Sequence, residues 1–433
     1  MSNLNTPILE TLQSIIDKLK GCKYLNLKNV TFVCVQHLLF TTIDLIKSLI
    51  RLGAKPNNIH IMGKIYSNCP IVIAQLIEMG VNYYPSSQPQ QFGYFNYYFN
   101  TDIANMWANV ATTIINVKSD TIIILDDGSK CTTTIPKLLS DNYKVFTVEQ
   151  TSSGVVHIIK NNYTTLPFIN VAYSAAKQIL ESPMIAQTVI RKLDKILPLQ
   201  FRTLVCGVVG FGAIGRAVAR KLLSLNHKVI IYDRSDSKYN LMKKIKTANN
   251  ILSLFQKSEY IFGCTGEDIT LSLDINKIRG TKNLISCSSQ DIEFQSLLHI
   301  IQDNSSINTS NVLDNIEYST DSATFNIFRG GYPVNLDNSG ESVPANDIQL
   351  TRGLLLGGIV QALFHLVQEV NQKPQQYMLH PKIQKLIVKE LVYNQKYKFS
   401  NDLVVMNFLD EEWIKNNSSG EYVSNDIISR YFL

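Results

Sequence analysis

The chain has 433 residues, 45% of them hydrophobic, and its 41 basic and 35 acidic side chains leave a formal net charge of +6. This length supports two or three domains with real cores, and a charge spread along the chain without a basic stripe excludes nucleic acid as the expected partner. No apolar run approaches the ~20 residues of a membrane span, and the acids within MSNLNTPILETLQSIIDKLK mark an amphipathic helix rather than a secretory signal. The expected setting is the cytoplasm, with no membrane partner. Cysteines at 22, 34, 69, 131, 206, 264 and 287 show no CxxC spacing and lie mostly in apolar runs. They read as reduced core residues, and no metal site is expected.

Strand and helix patterns alternate from the start. Residues 30–35, 59–62, 121–125 and 143–148 read as strands. Residues 41–52, 70–79 and 102–117 read as helices, the first two ending at Gly53 and Gly80. The segment 84–100, with its SSQPQQ string and tyrosines, reads as a surface loop. Residues 173–193 read as a helix interrupted at Pro183. Such βα alternation implies a parallel sheet covered by helices on both faces.

The most informative stretch follows. The apolar run 204–209 reads as a buried strand leading into Gly210-Phe211-Gly212-Ala213-Ile214-Gly215. Ile214, Val218, Leu222 and Leu225 then recur about one helical turn apart, and a second apolar run, 229–232, ends at Asp233-Arg234. Gly210 permits a tight turn, Gly212 lets a pyrophosphate approach the backbone, and Gly215 lets helix and strand pack closely. Ala213 and Ile214 open the helix, whose free N–H groups and positive dipole end suit phosphate. Asp233 can accept both hydroxyls of an adenosine ribose and would repel a 2′-phosphate, so the pattern favours NAD over NADP. A glycine turn without a ligand is the plain structural alternative.

Beyond Asp233, residues 247–256 read as a helix and 260–262, 283–286 and 311–313 as strands. An apolar helix over 348–370 is expected to pack onto the N-terminal half, and the last sixty residues read as mixed helix and loop. The expected fold is α/β: a doubly wound parallel-sheet NAD-binding domain at 186–344, inserted in a second α/β substrate domain formed by 1–185 plus 345–390. A C-terminal tail, 391–433, completes the chain.

Four strings fall where parallel strands end, the place where ligands sit in open α/β sheets. Asp126-Asp127-Gly128 closes a buried strand, and its acids also suit a turn or helix cap. Glu149-Gln150-Thr151-Ser152-Ser153-Gly154 can hydrogen-bond a nicotinamide amide or cap the next helix. Lys177 ends 170–177 on an otherwise apolar helix, where most lysines snorkel to solvent. His37 follows the first strand, a place where a lone histidine is commonly structural.

In this order the strings resemble S-adenosylhomocysteine hydrolase (adenosylhomocysteinase) from about residue 30 to about 395. The family's DDG matches Asp126-Asp127-Gly128, and its EETTTGV resembles Glu149-Gln150-Thr151-Ser152-Ser153-Gly154-Val155. Its PAINVNDSVTK resembles 167–177, its GRLVNL resembles 331–336, and its LPK resembles 379–382, while Trp107 falls where the family has a tryptophan. The resemblance implies bound NAD+ that transiently oxidises a substrate hydroxyl, followed by thiol elimination and addition of water. It implies that Lys177 helps deprotonate the hydroxyl, with Glu181 one turn beyond it. Asp127 takes the C–H proton and His37 serves leaving group and water. Thr151, Ser152, Ser153, Thr265 and Asn335 join Gly210, Gly212, Ala213, Ile214, Gly215, Asp233 and Arg234 around the cofactor. It further implies a homo-oligomer and a nucleoside or thioether-like small-molecule substrate.

Departures from the family are equally specific. Gln150 replaces a ribose-binding glutamate, Glu181 an aspartate, and Ser182 an asparagine. Ala172-Tyr173 replaces Asn-Asp, Leu39 and Thr41 stand at adenine-recognition positions, and Ser289-Gln290 replaces a Gly-His pair. The ending 429–433 lacks the family's lysine-bearing tail. Gln150 and Gln290 are therefore the expected substrate positions, on a substrate altered from S-adenosylhomocysteine. Locally, GFGAIGRAVARKL…VIIYDR is closer to the D-2-hydroxy-acid dehydrogenases, although Ser288-Ser289 stands where their catalytic arginine is expected, near 292–297. That gives an oxidoreductase alternative, and an NAD-binding regulatory homologue without turnover is a third.

Overall fold

The computed structural model describes residues 8–20, 25–117, 119–161, 166–197, 203–235, 245–304, 311–367, 375–395 and 406–418. Cys22 and the 429–433 ending lie outside them. The fold is α/β, with a Rossmann-like parallel-sheet domain and a second sheet domain. Residues 1–86, 100–181 and 338–433 group as one compact unit, and 87–99 with 182–337 as the other. The sequence placed 87–99 in the first domain and set 391–433 apart as a tail.

The first unit starts with helix α1 (Glu10–Leu19), which buries Leu12, Ile15, Ile16 and Leu19 along one face. Then come β1 (Val30–Leu38), α2 (Phe40–Arg51), β2 (Ile59–Asn68), α3 (Pro70–Glu78) and β3 (Asn82–Tyr84). Helix α4 (Phe95–Val117), whose residues 95–99 group with the second unit, leads to β4 (Thr121–Asp126), α5 (Lys137–Asn142), β5 (Lys144–Glu149), α6 (Ser152–Lys160) and β6 (Phe168–Asn170). The second unit runs through α7 (Ser182–Ile196), β7 (Val205–Val209), α8 (Ala213–Ser224), β8 (Lys228–Tyr232), β9 (Lys246–Thr247) and α9 (Ile251–Lys257). It continues with β10 (Tyr260–Gly263), β11 (Gly280–Ser286), α10 (Gln295–Asn304), β12 (Ile316–Ser319) and β13 (Ala323–Ile327). The chain returns to the first unit with α11 (Ala345–Val367), β14 (Gln376–Met378), α12 (Pro381–Gln395) and α13 (Glu411–Asn416).

The first sheet has the order β14-β6-β5-β4-β1-β2-β3, parallel throughout. Its central β4, TIIILD, is buried at every residue, as a parallel strand covered on both faces must be. Helix α11 packs on α2, β4, β5 and β6, so the expected return of this apolar helix to the N-terminal half is observed. The second sheet has the order β12-β13-β11-β10-β7-β8-β9, parallel except for the β12–β13 pair.

Four expectations are corrected. The strand expected at 59–62 runs on to Asn68. The loop expected over 84–100 gives way to α4 at Phe95, where the Phe95 and Phe99 rings stack 4.8 Å apart. The strand expected at 311–313 is a turn, because the Asn311 side chain accepts the Leu313 N–H at 3.0 Å and its carbonyl the Asp314 N–H. At Pro183 the helix is not interrupted. A π-helix, Ala176–Glu181, runs directly into α7, and the wider turn accommodates the ring and missing N–H of proline.

Candidate active-site residues

The cofactor half lies in the second unit. Gly210 has φ +89°, a left-handed conformation that favours glycine, and a Cβ there would stand 2.7 Å from the Cys264 carbonyl oxygen. A Cβ on Gly215 would stand 1.9 Å from the Gly210 carbonyl oxygen, so helix and turn touch only because residue 215 is glycine. Over Gly212 nothing lies within 4 Å of an added Cβ, which leaves room for a phosphate group. Gly212 is the N-cap of α8 and supplies no side-chain cap, so the first N–H groups, at Ala213, Ile214 and Gly215, remain available to an anion. These residues fit a dinucleotide.

Asp233 follows β8 and is buried. Its Oδ2 accepts the Phe211 N–H at 2.7 Å and its Oδ1 the Ser235 N–H at 2.9 Å. The carboxylate therefore fixes the glycine turn. Arg234 is exposed and pairs with Glu267 at 2.5 Å, a surface contact of small energetic weight. Thr265 is exposed after β10, its N–H donating to Glu293 Oε1 at 2.6 Å. Glu293, missed in the sequence, also accepts from Gly266 N–H and the Ser288 hydroxyl and so shapes this loop. Burial pushes its carboxyl up to about 7, although those donors pull the other way. Asn335 and Gln290 are buried in the same unit, Gln290 with φ 73°, uncommon for a residue with a side chain.

The first unit holds a separate polar cluster at the carboxyl ends of β1, β2, β4 and β5. Asp126 is a scaffold: it accepts the N–H groups of Asp127, Lys130 and Thr132 and the Thr132 hydroxyl, at 2.7–3.0 Å. Glu149 does the same for the next loop, accepting from Gly128, Ser129 and Thr151 N–H groups and the Thr151 hydroxyl. Burial raises its carboxyl to about 8. Thr151 also caps α6 through Gly154 N–H at 3.1 Å, while Ser152 and Ser153 are exposed. In the structure these three residues act as a helix start.

Asp127, 1% exposed, is bonded to the ammonium of Lys64, which is fully buried. The Gln150 amide donates to Oδ2 of the same carboxylate, and His37 Nε2 lies 3.3 Å from that oxygen. Burial alone would raise the Asp127 carboxyl, but Lys64 and His37 hold it far below the usual carboxylate range. Burial likewise opposes the charge on Lys64, and Asp127 raises it above an ordinary lysine. A carboxylate held this way accepts a proton poorly. The role of C–H proton acceptor implied by the adenosylhomocysteinase resemblance therefore does not suit Asp127.

His37 Nδ1 lies 2.6 Å from Ser67 Oγ, which donates to the Lys64 carbonyl at 3.3 Å. Both ring nitrogens thus face a polar partner, Ser67 Oγ at Nδ1 and Asp127 Oδ2 at Nε2, and the imidazole proton can sit on either. Burial lowers the His37 pKa to about 4, with Lys64, Arg352 and Lys177 acting in the same direction and Asp127 against them. Lys177 Nζ lies 2.7 Å from both oxygens of Glu181, one turn on. Thus His37, Asp127, Lys177, Glu181 and Gln150 come together, joined by Lys64, Ser67 and Arg352, which the sequence did not single out. No short motif marks Lys64 or Arg352; only the fold brings them here.

Residues 172–267 match the family model for the D-isomer specific 2-hydroxyacid dehydrogenase, NAD binding domain. The chain thus carries an NAD-binding domain of dehydrogenase type. Two uncharacterized proteins of Mycobacterium tuberculosis, from strains CDC 1551 / Oshkosh and ATCC 25618 / H37Rv, are each 27% identical over 370 residues, covering 84% of this chain and 70% of theirs. Among solved structures, 3-phosphoglycerate dehydrogenase from Entamoeba histolytica is 10% identical over 79% of this chain and 98% of its own, with a TM-score of 0.39. A 2-hydroxyacid dehydrogenase from Ketogulonicigenium vulgare Y25 is 12% identical over 71% and 96%, with a TM-score of 0.35. The matching family model is that of a hydroxyacid dehydrogenase, so around the glycine motif the adenosylhomocysteinase resemblance gives way to that family. Among the described residues no helix is long and apolar enough to cross a membrane.

Proposed function

We propose that the protein is an NAD-dependent oxidoreductase that interconverts a secondary hydroxyl and a carbonyl on a small molecule, with His37 as the group that moves the hydroxyl proton. One observation carries this reading: a buried imidazole, neutral at pH 7, whose Nε2 lies 3.3 Å from a carboxylate that stays ionised. NAD, when bound at Gly210–Gly215 and Asp233, supplies hydride acceptance and donation. His37 Nε2 takes the hydroxyl proton as the carbonyl forms and returns it in the reverse direction. Asp127 lies beside the imidazolium that results and stabilises it, and Lys64 keeps Asp127 charged throughout. General base catalysis of this kind contributes roughly 10²–10⁴-fold.

The test is to incubate the protein with NAD+ and a panel of small hydroxy compounds, and with NADH and the matching carbonyl compounds, following the NADH absorbance band. Turnover that falls at least ~10²-fold in His37→Gln, with NAD binding unchanged, supports the reading. NAD binding without turnover of any compound overturns it in favour of the regulatory homologue. Adenosylhomocysteinase-like elimination is the second reading. What favours it is that Lys177, Glu181, Asp127 and His37 share one cluster. It requires release of a thiol from a thioether, which a thiol assay detects.

A further inference from the structure

Strands β10 and β11 lie side by side in the second sheet, paired in parallel register from Tyr260 opposite Asn283 to Gly263 opposite Ser286. The next residue on each is a cysteine, Cys264 and Cys287. Both are still held by the sheet. The Cys264 N–H donates to the Val209 carbonyl at 2.8 Å, and the Cys287 N–H to the Gly263 carbonyl at 2.9 Å. Residues in register on neighbouring strands stand roughly 4.8 Å apart, inside the Cα separation of about 4.4–6.8 Å that a disulfide spans. The two side chains pack against the same apolar cluster and share a thiol–thiol hydrogen bond. Both are free thiols and half-buried, whereas Cys34, Cys69, Cys131 and Cys206 are sealed. Among the described cysteines, a small reagent therefore reaches this pair first.

The pair lies directly under the dinucleotide site. A Cβ on Gly210 would meet the Cys264 carbonyl oxygen at 2.7 Å, and one on Gly215 the Cys264 Cβ at 3.5 Å, so the glycine turn rests on Cys264. Beyond the cysteines the two loops are laced together. Gly266 N–H donates to Ser288 Oγ at 3.1 Å, and Glu293 accepts from Thr265, Gly266 and Ser288. Closing an S–S bond of about 2.05 Å would draw these loops together where there is no slack, and a close-packed interior transmits such a shift.

We propose that Cys264 and Cys287 form a reversible disulfide site that weakens the hold of the glycine turn on the dinucleotide. The oxidant is a small-molecule disulfide of the glutathione class. The Cys287 thiolate attacks it, the small S–S bond breaks, and one small thiol leaves with the proton that Cys287 gave up. Cys264 then attacks the Cys287 sulfur of the mixed disulfide, and the second small thiol leaves with the Cys264 proton. Two protein thiols are oxidised, and one small disulfide is reduced to two thiols. Cys287 attacks first, because the shared hydrogen bond and burial push the Cys264 thiol well above the ordinary range. Only cofactor binding enters here, whichever reaction the protein catalyses.

The test equilibrates the whole chain in glutathione redox buffers, titrates NADH by fluorescence, and identifies linked peptides by mass spectrometry after alkylation. In oxidising buffer a peptide pair joining Cys264 to Cys287 should appear. The NADH Kd should rise roughly tenfold, within the usual range of coupling between two sites. Dithiothreitol should reverse both. Cys287→Ser should bind NADH as the reduced protein does and lose the response, although the other cysteines remain. Linkage gives a second readout that needs no variant: saturating NADH should make the disulfide harder to form, by the same factor, seen in the buffer ratio at half oxidation. A Cys264–Cys287 link that leaves NADH affinity unchanged overturns the proposal, as does a half-oxidation point indifferent to NADH. So does a pair that stays unlinked in buffer oxidising enough to form mixed disulfides elsewhere on the chain. NADH binding that still falls on oxidation of Cys287→Ser overturns it too, because another cysteine would then be the responsive one.

Discussion

The Lys64 ammonium, midway along β2, is bonded to the Asp127 carboxylate just past β4, with both side chains sealed from solvent. Neither charge would be tolerated there alone, because taking an ion out of water costs several kcal/mol unless a partner compensates. The pair therefore makes each residue a condition for the other.

Lys64→Met should accordingly destabilise the protein by about 3–5 kcal/mol at pH 7, the usual cost of breaking a buried pair. Asp127→Asn should cost a similar amount, and the double variant should recover much of the loss. The sign with pH follows from the depressed Asp127 carboxyl. Its stabilising contribution is full above the unfolded value near 3.9 and is lost as pH falls below that. The gap between the Lys64→Met variant and the unmutated protein, measured by urea denaturation, should therefore narrow below pH 4. A gap independent of pH, or single losses that simply add, would show that the two charges do not depend on each other.

Cofactor choice rests on Asp233. Titration by NADH fluorescence should give tighter binding of NADH than of NADPH, and Asp233→Ala should narrow the difference. Because Asp233 also accepts the Phe211 and Ser235 N–H groups, the variant should weaken NADH binding as well, through a looser glycine turn. Equal affinity for the two cofactors in the unmutated protein would contradict the ribose role and draw attention to Arg234.

The pH dependence of the rate tests which group moves the proton. With the His37 pKa lowered to about 4, kcat/KM for hydroxyl oxidation should hold level from pH 8 down to about 5 and fall only below that. A fall centred near 6.5, the ordinary histidine value, would mean that His37 is not desolvated as the structure has it. For stability the sign is the same. The unfolded chain binds the proton more readily than the folded one, so His37 contributes fully above about 6.5 and loses that contribution as pH drops toward 4.

The alternation of strands and helices, the glycine turn and the acid after β8 were legible because each rests on local chemistry. Periodicity, a missing Cβ and a strand end are all written within a few residues. Lys64 was not legible. A glycine and a lysine after IHIM look like the end of a strand, yet β2 continues through them to Asn68. It does so because Asp127, 63 positions on, supplies the charge that lets Lys64 stay inside. Arg352 is hidden for the same reason, its acceptors lying 310–316 positions away. The π-helix before Pro183 shows the reverse limit: a proline forbids one hydrogen bond, and the chain relieved it by widening a turn rather than stopping.

Gln150 decides between the two enzymatic readings more directly than any other residue. Where the adenosylhomocysteinase resemblance has a glutamate, this chain has an amide whose N–H donates to Asp127 Oδ2. A glutamate there would set a second carboxylate against Asp127 in a site where Lys64 is the bonded cation. Two buried carboxylates in contact cannot both stay ionised, so one would take up a proton near neutral pH. Gln150→Glu should therefore destabilise the protein by about 1–3 kcal/mol, the cost of a buried polar group that loses its partner. The loss should shrink as pH falls and the new pair is protonated. The variant should also release no thiol from S-adenosylhomocysteine, as expected of the unmutated protein. If Gln150→Glu instead leaves stability intact and brings thiol release to the ~1 s⁻¹ at the low end of enzyme turnover, then the cluster is an elimination site that this one amide had silenced. His37 would have to be reassigned from the hydroxyl proton to the leaving group.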